Sequence, residues 1–487
     1  MNLKKLAVSG VKWTGSATFI SLVLQIGTIA ILTRLLRPDE FGVMGMVSVV
    51  IGFAVAFADM GISNAIIYKQ DSTKDELSSL YWLNLGMGIA LFILLLAAEP
   101  LVTAFFREPR LKIPYILCTF IFPILASGQQ FQAVLQKNLE FGKLSKIQVI
   151  STFLGSITSI ILAFRGYGVI SLVFGQVILR GANSILLIWS FRKSPFPSLR
   201  FNLHEIRRYL SFGMYQMGER ALNFLSSNVD YLIIGRFLGA ELLGYYTLAY
   251  KIISIAVYRI NPIITRVAFP VFSKLQKDNE ILRKGYAKVV QLLSLAVFPF
   301  LIGAMVIGKP FVVAVFGEKW IPSVLLIQIM ALAGCLKTII NPSGSVILAK
   351  GRADIGFKWN LAATAVRVVV IWWACSMGLY AVAWSILILQ VIATTIMQAI
   401  VNKLIGMKYI DILKALEPAS IAVSVMAVGI LALKLLMARA IPMNVSNLSQ
   451  LLFFSIVGAV LYLVIIIFRY GDITNYYLNL MLPEKNN

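Results

Sequence analysis

Long apolar runs dominate this chain, and short polar links separate them. Each run is about 18–25 residues, the length that crosses a ~30 Å hydrocarbon core. In lipid a segment must satisfy its own backbone hydrogen bonds, so runs of this kind fold as helices. Residues are 59% hydrophobic and only 13% charged, whereas soluble domains carry about 25% charge. A soluble fold is excluded. The length, which in a soluble protein would suggest about three domains, predicts instead an all-α polytopic membrane protein of about 14 transmembrane helices.

The expected spans are 13–33, 41–63, 80–98, 114–135, 147–164, 168–190, 209–235, 242–272, 289–307, 321–348, 359–376, 380–401, 415–437 and 449–468. Lys4, Lys5 and Lys12 precede the first. They resemble a signal-peptide head, but the run beyond Trp13 is too long and lacks a small-residue cleavage site, so it reads as an uncleaved span. Tight turns are expected at Gly166 and Gly378.

The formal charge is +23. With the N-terminus in the cytoplasm, the inward links hold about 26 Lys and Arg against about 10 outside, a positive-inside bias. Both termini are therefore expected inside a multi-pass protein of the cytoplasmic (inner) membrane. There is no basic tail or aromatic stacking platform, which argues against nucleic acid. Cys118, Cys335 and Cys375 are scattered through apolar segments and His204 stands alone, so neither a metal nor a disulfide framework is expected. Gly303–Lys309 has phosphate-loop spacing, but Pro310 follows where Ser or Thr should bind magnesium. No cofactor is expected.

The basic links 191–208 and 402–414 divide the chain into an N-lobe of six spans (1–193), a C-lobe of six (194–402) and a final helix pair (403–487). An internal repeat supports the first division. Arg34-Leu35-Leu36-Arg37-Pro38-Asp39-Glu40-Phe41-Gly42 recurs as Arg236-Phe237-Leu238-Gly239-Ala240-Glu241-Leu242-Leu243-Gly244, with Arg, Leu, an acid, an apolar residue and Gly at the same spacing. Gly42 and Gly244 then open the second and eighth spans. Two unrelated tight turns are the plain alternative, but the shared position in each half favours duplication. Six spans separate the copies, so the repeat is parallel, and transporters place substrate between such halves.

Eight cations fall within spans: Arg180, Arg220, Lys251, Arg259, Arg266, Lys337, Arg367 and Lys434. The acids are Asp59, Glu219, Asp230 and Glu417. A charge at the bilayer centre costs about 2.5–3.5 kcal/mol on insertion scales, so these residues face a cavity or a partner. The excess is cationic, which implies an anionic guest or abundant water. Lys251, Arg259 and Arg266 fall in a sector of roughly 80° over about 22 Å of one helix, flanked by Tyr258, Thr247 and Thr265. Such a basic ladder suits a phosphate moving along the membrane normal, and Arg presents a planar fork to its oxygens. Arg259 is read as cavity-lining. Lys251 and Arg266 stay open between that role and snorkelling, and Lys434 is read as snorkelling. Pairing of Asp230 with Lys251 is a structural alternative.

Asn261-Pro262, Pro270, Pro299, Pro342 and Pro123 are hinges or static kinks, the static reading being preferred. Gln129, Gln130 and Gln132 form a polar cluster, read as interhelical glue before sugar binding; Gln25 and Asn64 are read the same way. A membrane glycosyltransferase or polymerase would need a sizeable outward loop. The longest, 99–113, places Glu99, Arg107 and Glu108 in a loop of only about fifteen residues, so an enzyme is not expected.

The Arg34–Gly42 stretch, Phe57-Ala58-Asp59-Met60-Gly61-Ile62-Ser63, Asp230-Tyr231-Leu232-Ile233-Ile234-Gly235-Arg236 and Gln136-Lys137-Asn138-Leu139-Glu140-Phe141 resemble the polysaccharide transporter family. That family belongs to the multidrug/oligosaccharidyl-lipid/polysaccharide exporter superfamily, and the version here is most similar to colanic-acid and teichuronic-acid exporters. The resemblance implies two six-helix lobes around a V-shaped cavity, with two additional C-terminal helices. It implies flipping of an undecaprenyl-diphosphate-linked repeat unit to the outer leaflet, alongside a polysaccharide polymerase and glycosyltransferases. An ion-coupled drug antiporter of the same superfamily is the alternative, though cationic drugs would need cavity acids and here bases outnumber them. A scaffold in an assembly complex is a third reading. Asp59, Glu219 and Asp230 are candidates to couple transport to H+ or Na+, or else pair structurally with Arg220 or Lys251.

Overall fold

The computed structural model describes residues 3–59, 61–68, 72–192, 197–198, 201–440 and 446–472. Side chains within a few helical stretches, among them those of Arg259, Arg266 and Glu219, lie outside the described residues. The described chain is helical, with no strand. It divides into two compact units, residues 1–244 and 245–487.

The first unit contains α1 (Leu3–Leu35), α2 (Pro38–Ala58), α3 (Ile62–Tyr68), α4 (Lys74–Phe106), α5 (Lys112–Thr119), α6 (Ile121–Lys137), α7 (Phe141–Phe164), α8 (Val169–Ser190) and α9 (Leu203–Lys274) as far as Gly244. Here α7 packs between α1 and α8, while α6 packs against α3, α4 and α8. The second unit continues with α10 (Asn279–Val306), α11 (Gly308–Phe316), α12 (Ser323–Ile340), α13 (Ser343–Ala349), α14 (Ala353–Cys375), α15 (Leu379–Ile405), α16 (Tyr409–Ala440) and α17 (Asn447–Arg469). In it, α10 packs on α12 and α16, α15 on α12 and α14, and α17 on α11 and α16. Large apolar side chains such as Phe164, Trp373 and Phe468 are exposed on these bundles. Lipid is the solvent that makes such a surface stable.

Among the described residues, 13 helices are long and apolar enough to cross a membrane. The difference from the expected fourteen lies in α9, where Arg220–Val257 counts as one span. Its helical path breaks at Gly239 (φ 83°, ψ −179°). That corner separates the expected seventh and eighth spans. The corresponding residue of the first repeat copy, Arg37 (φ −87°, ψ 157°), is the extended residue ahead of α2. Both copies of the repeat are thus corners between helices. The backbone stays helical across Asn261-Pro262.

The expected outward loop 99–113 is much shorter in the structure. α4 runs on to Phe106, and a 3-10 turn at Pro109–Leu111 leads directly into α5. Glu99 is buried inside α4, where its carboxylate accepts a hydrogen bond from Thr103 Oγ1 at 2.9 Å. Lys112 stands 4.0 Å away. Glu108 instead pairs with Arg110, whose other arm reaches Asp39 at the start of α2. The expected tight turns are present, with Gly166 at φ 80° and Gly378 at φ 97°.

Candidate functional site

A pocket of about 280 Å³ lies within the first unit, walled by α2, α3, α6, α8 and α9. It sits toward the ends of α2, α6 and α8 that adjoin the links after Ala58, Lys137 and Ser190. On α6, Gln129, Gln132 and Gln136 fall at i, i+3 and i+7, one helix face, and all three line the pocket. Gln130 faces elsewhere, its Nε2 donating to the Leu77 carbonyl at 2.6 Å. Interhelical glue therefore describes Gln130, while its neighbours Gln129 and Gln132 line the pocket.

The α8 wall repeats this spacing with Arg180, Asn183, Ser184 and Leu187. Ser184 Oγ donates to the Ile124 carbonyl at 2.6 Å and ties α8 to α6. Gly128 lets the two helices approach: a Cβ there would stand 2.6 Å from Ser184 Oγ.

The third wall holds an ion pair. Arg220 of α9 donates to Asp59 Oδ2 at 3.1 Å. Asp59 Oδ1 accepts from Ser63 Oγ at 2.6 Å and from Ser63 N at 3.1 Å. Both carboxylate oxygens are therefore occupied. The Asp59 side chain is only 7% exposed and that of Arg220 is 42% exposed, so the carboxylate is fixed while the guanidinium fronts the pocket with N–H donors to spare. Arg180, exposed on the opposite wall, makes no hydrogen bond or ion pair with a described residue. Among the described residues, two cations and one carboxylate give the pocket one net positive charge, surrounded by amides and hydroxyls. Such a lining accepts an anion flanked by hydroxyl groups.

Of the residues singled out from the sequence, Asp59, Arg180 and Arg220 come together here. Asp230 is buried in α9 and is absent from the pocket wall. Lys251, Lys337 and Arg367, on α9, α12 and α14, are partly buried and belong to the second unit. Arg259, Arg266 and Glu219 fall outside the described side chains. The Lys434 ammonium donates to the Val306 carbonyl at the end of α10 (2.6 Å) and lies 5.4 Å from the Phe454 ring. A cation there satisfies a carbonyl that the helix end leaves unpaired. Among the described residues no group of acids, His and Cys is placed to hold a metal. Gln136, Asn183 and Ser63 were not singled out from the sequence as site residues; the period of the three glutamines was its one visible sign.

The repeat turns do a different job. Arg34 is exposed at the end of α1. Arg236 donates to the Ala104 (3.3 Å) and Phe105 (2.5 Å) carbonyls at the end of α4. Gly42 lies against the Ala240 backbone and Gly244 against that of Pro38.

Stacked membrane-length helices enclosing a polar, cation-rich pocket define a multi-pass membrane protein built like a transporter. The same fold is found in a solved structure titled lipid II flippase MurJ, inward closed conformation, which matches with a TM-score of 0.75 at 15% identity over 94% of this chain and 99% of that one. Residues 31–325 match the model of the polysaccharide biosynthesis protein family. The teichuronic acid biosynthesis protein TuaB of Bacillus subtilis (strain 168) is 38% identical over 392 residues, 80% of this chain and 81% of that protein. The lipopolysaccharide biosynthesis protein WzxC of Escherichia coli (strain K12) is 32% identical over 411 residues, 84% of each. The chain belongs to the polysaccharide biosynthesis protein family.

Proposed function

We propose that the protein is an exporter of lipid-linked oligosaccharides, carrying an undecaprenyl-diphosphate-linked repeat unit from the cytoplasmic to the outer leaflet. The observation that carries this reading is Arg180. It is a guanidinium with no counter-charge among the described residues, set in a pocket whose other polar groups are the Asp59–Arg220 pair, amides and hydroxyls. An Arg fork matches phosphate oxygens in two-point geometry, and amides on the facing helix suit sugar hydroxyls. At about 280 Å³ the pocket is at the small end for ligand sites. It therefore takes the diphosphate and adjoining sugar, while the polyprenyl tail stays in lipid. The names of the relatives, which place them in teichuronic acid and lipopolysaccharide biosynthesis, support the same substrate class.

The charge bias of the links orients the protein with both termini in the cytoplasm, so this pocket opens toward the cytoplasmic leaflet, where the substrate is made. Two six-helix lobes, 1–193 and 194–402, alternate between inward- and outward-open states, with 403–487 as an added pair. Arg259, Lys251, Arg266, Lys337 and Arg367 are further candidate cations for the diphosphate. Asp59, Glu219 and Asp230 are the candidate carboxylates for coupling to H+ or Na+. A polymerase and glycosyltransferases act on either side of the transfer.

The test is export in cells that depend on this protein for surface polysaccharide. Arg180→Ala is expected to abolish surface polymer at unchanged membrane abundance, with partial recovery in Arg180→Lys. Full export by Arg180→Ala, or binding of ethidium in preference to farnesyl diphosphate by the purified protein, overturns the reading.

A further inference from the structure

We infer that Asp59 is an internal competitor for the anionic head group: it holds Arg220 when the pocket is empty and retakes it to drive the head group out. The inference rests on the pocket reading above. Four observations carry it. Asp59 and Arg220 are 3.1 Å apart across the pocket wall. Asp59 is held from behind by Ser63, through both the hydroxyl (2.6 Å) and the backbone N–H (3.1 Å). Arg220 is the more exposed partner, with a side chain 42% exposed against 7% for Asp59. Arg180, a second cation of the same pocket, has no such carboxylate among the described residues.

The asymmetry has a direct electrostatic consequence. With Asp59 in place the described lining carries one net positive charge; with a neutral residue there it carries two. The attraction of any anion to the pocket rises with that charge, and a diphosphate gains more from it than a monophosphate. Asp59 therefore lowers affinity for every anionic guest, and most for the most highly charged. A residue kept only to assemble a strong site would not do this. A transporter has a use for it, because binding must be tight enough to load and weak enough to release. A carboxylate fixed by Ser63 is a pre-positioned replacement for the departing phosphate, so Arg220 is never left unpaired in a region of low dielectric.

The same wall carries the Arg180 guanidinium and the Asn183 amide from α8, the amides of Gln129, Gln132 and Gln136 from α6, and Ser63 from α3. Among the described residues it contains no second carboxylate to take over from Asp59.

The experiment measures binding of farnesyl diphosphate and farnesyl monophosphate to the purified full-length protein, and transport in the same variants. Asp59→Asn is expected to bind the diphosphate about tenfold tighter or more, the scale of close charge-pair coupling, with a smaller gain for the monophosphate. Its transport should show a lower apparent KM together with a lower kcat, the signature of slowed release. In Asp59→Asn/Arg220→Gln the gain should vanish, since the competition runs through Arg220. Ser63→Ala keeps both charges but loosens the carboxylate, and should give a smaller gain of the same kind. It also serves if Asp59→Asn fails to fold. Should the wild type bind neither phosphate, the pocket reading fails and this inference with it. Should the wild type bind the diphosphate while Asp59→Asn and Ser63→Ala bind it no tighter, the pocket reading stands and the pair is merely a packing contact.

Discussion

Gly42 lies directly against the carbonyl of Ala240, and the same contact is repeated with the partners exchanged, Gly244 against the carbonyl of Pro38. Gly42 and Gly244 hold the same place in the two repeat copies, and so do Pro38 and Ala240. The two corners therefore cross each other reciprocally, backbone on backbone. Glycine is required at both positions because a Cβ at either would overlap the opposing backbone. Gly42→Ala and Gly244→Ala should each destabilise the protein by about 1–3 kcal/mol, the cost of overpacking a closed contact. Because they share one crossing, the double variant should fall short of the sum. Thermal unfolding in detergent measures both. Unchanged melting in either single variant would show that the crossing gives way without cost.

The corner at Gly239 is a second backbone test, of a different kind. Its φ of 83° and ψ of −179° lie in a region that essentially only glycine occupies, at about 1–3 kcal/mol for any other residue. Nothing stands within 4 Å of a Cβ built there, so the penalty in Gly239→Ala is conformational and not steric. Arg37 occupies the matching place in an ordinary extended conformation, and Arg37→Ala should melt close to wild type apart from its exposed contacts to Asp39. The prediction is a lowered melting temperature for Gly239→Ala with little change for Arg37→Ala.

The turn beside that corner should show a pH dependence. The Arg110 guanidinium, bonded to Glu108 at 2.8 and 3.0 Å, holds the Glu108 carboxyl below its ordinary value of 4.5. A carboxyl depressed in the folded state adds stability that is present above its unfolded value and lost as pH falls through its folded one. Melting temperature should therefore decline below about pH 4.5, and Glu108→Gln should be less stable near neutrality and show a shallower decline. An identical acid limb in the variant would remove Glu108 as a contributor.

Much of the architecture was legible because lipid leaves a chain few choices: spans follow from apolar length, and the two corners follow from Arg34–Gly42 and Arg236–Gly244. Element ends were less legible. Glu99 looks like the edge of a loop, yet its carboxylate is satisfied by Thr103 one turn on, so α4 continues for seven more residues to Phe106. The pocket was legible only in part. Arg180, Arg220 and Asp59 stood out as intramembrane charges, but that Asp59 takes Arg220 and leaves Arg180 depends on how residues 161 positions apart are brought together. No local pattern encodes that. The sequence grouped Gln129, Gln130 and Gln132 as one cluster, whereas the face that meets the pocket is Gln129, Gln132 and Gln136.

Gln130 and Gln132 provide the cleanest separation of packing from function, since they are two residues apart on one helix and do opposite things. Gln130 is 7% exposed and bonds the Leu77 carbonyl of α4, whereas Gln132 fronts the pocket. Gln130→Leu removes a buried interhelical hydrogen bond and should cost about 1–3 kcal/mol of stability; export should fall only as far as the amount of folded protein falls. Gln132→Leu leaves α6–α4 packing intact, so melting should stay near wild type while affinity for a diphosphate-linked sugar drops and affinity for farnesyl diphosphate alone is kept. Equal losses of stability in both variants, or equal losses of both ligands in Gln132→Leu, would mean that the amide face of α6 holds the bundle together and does not read the sugar.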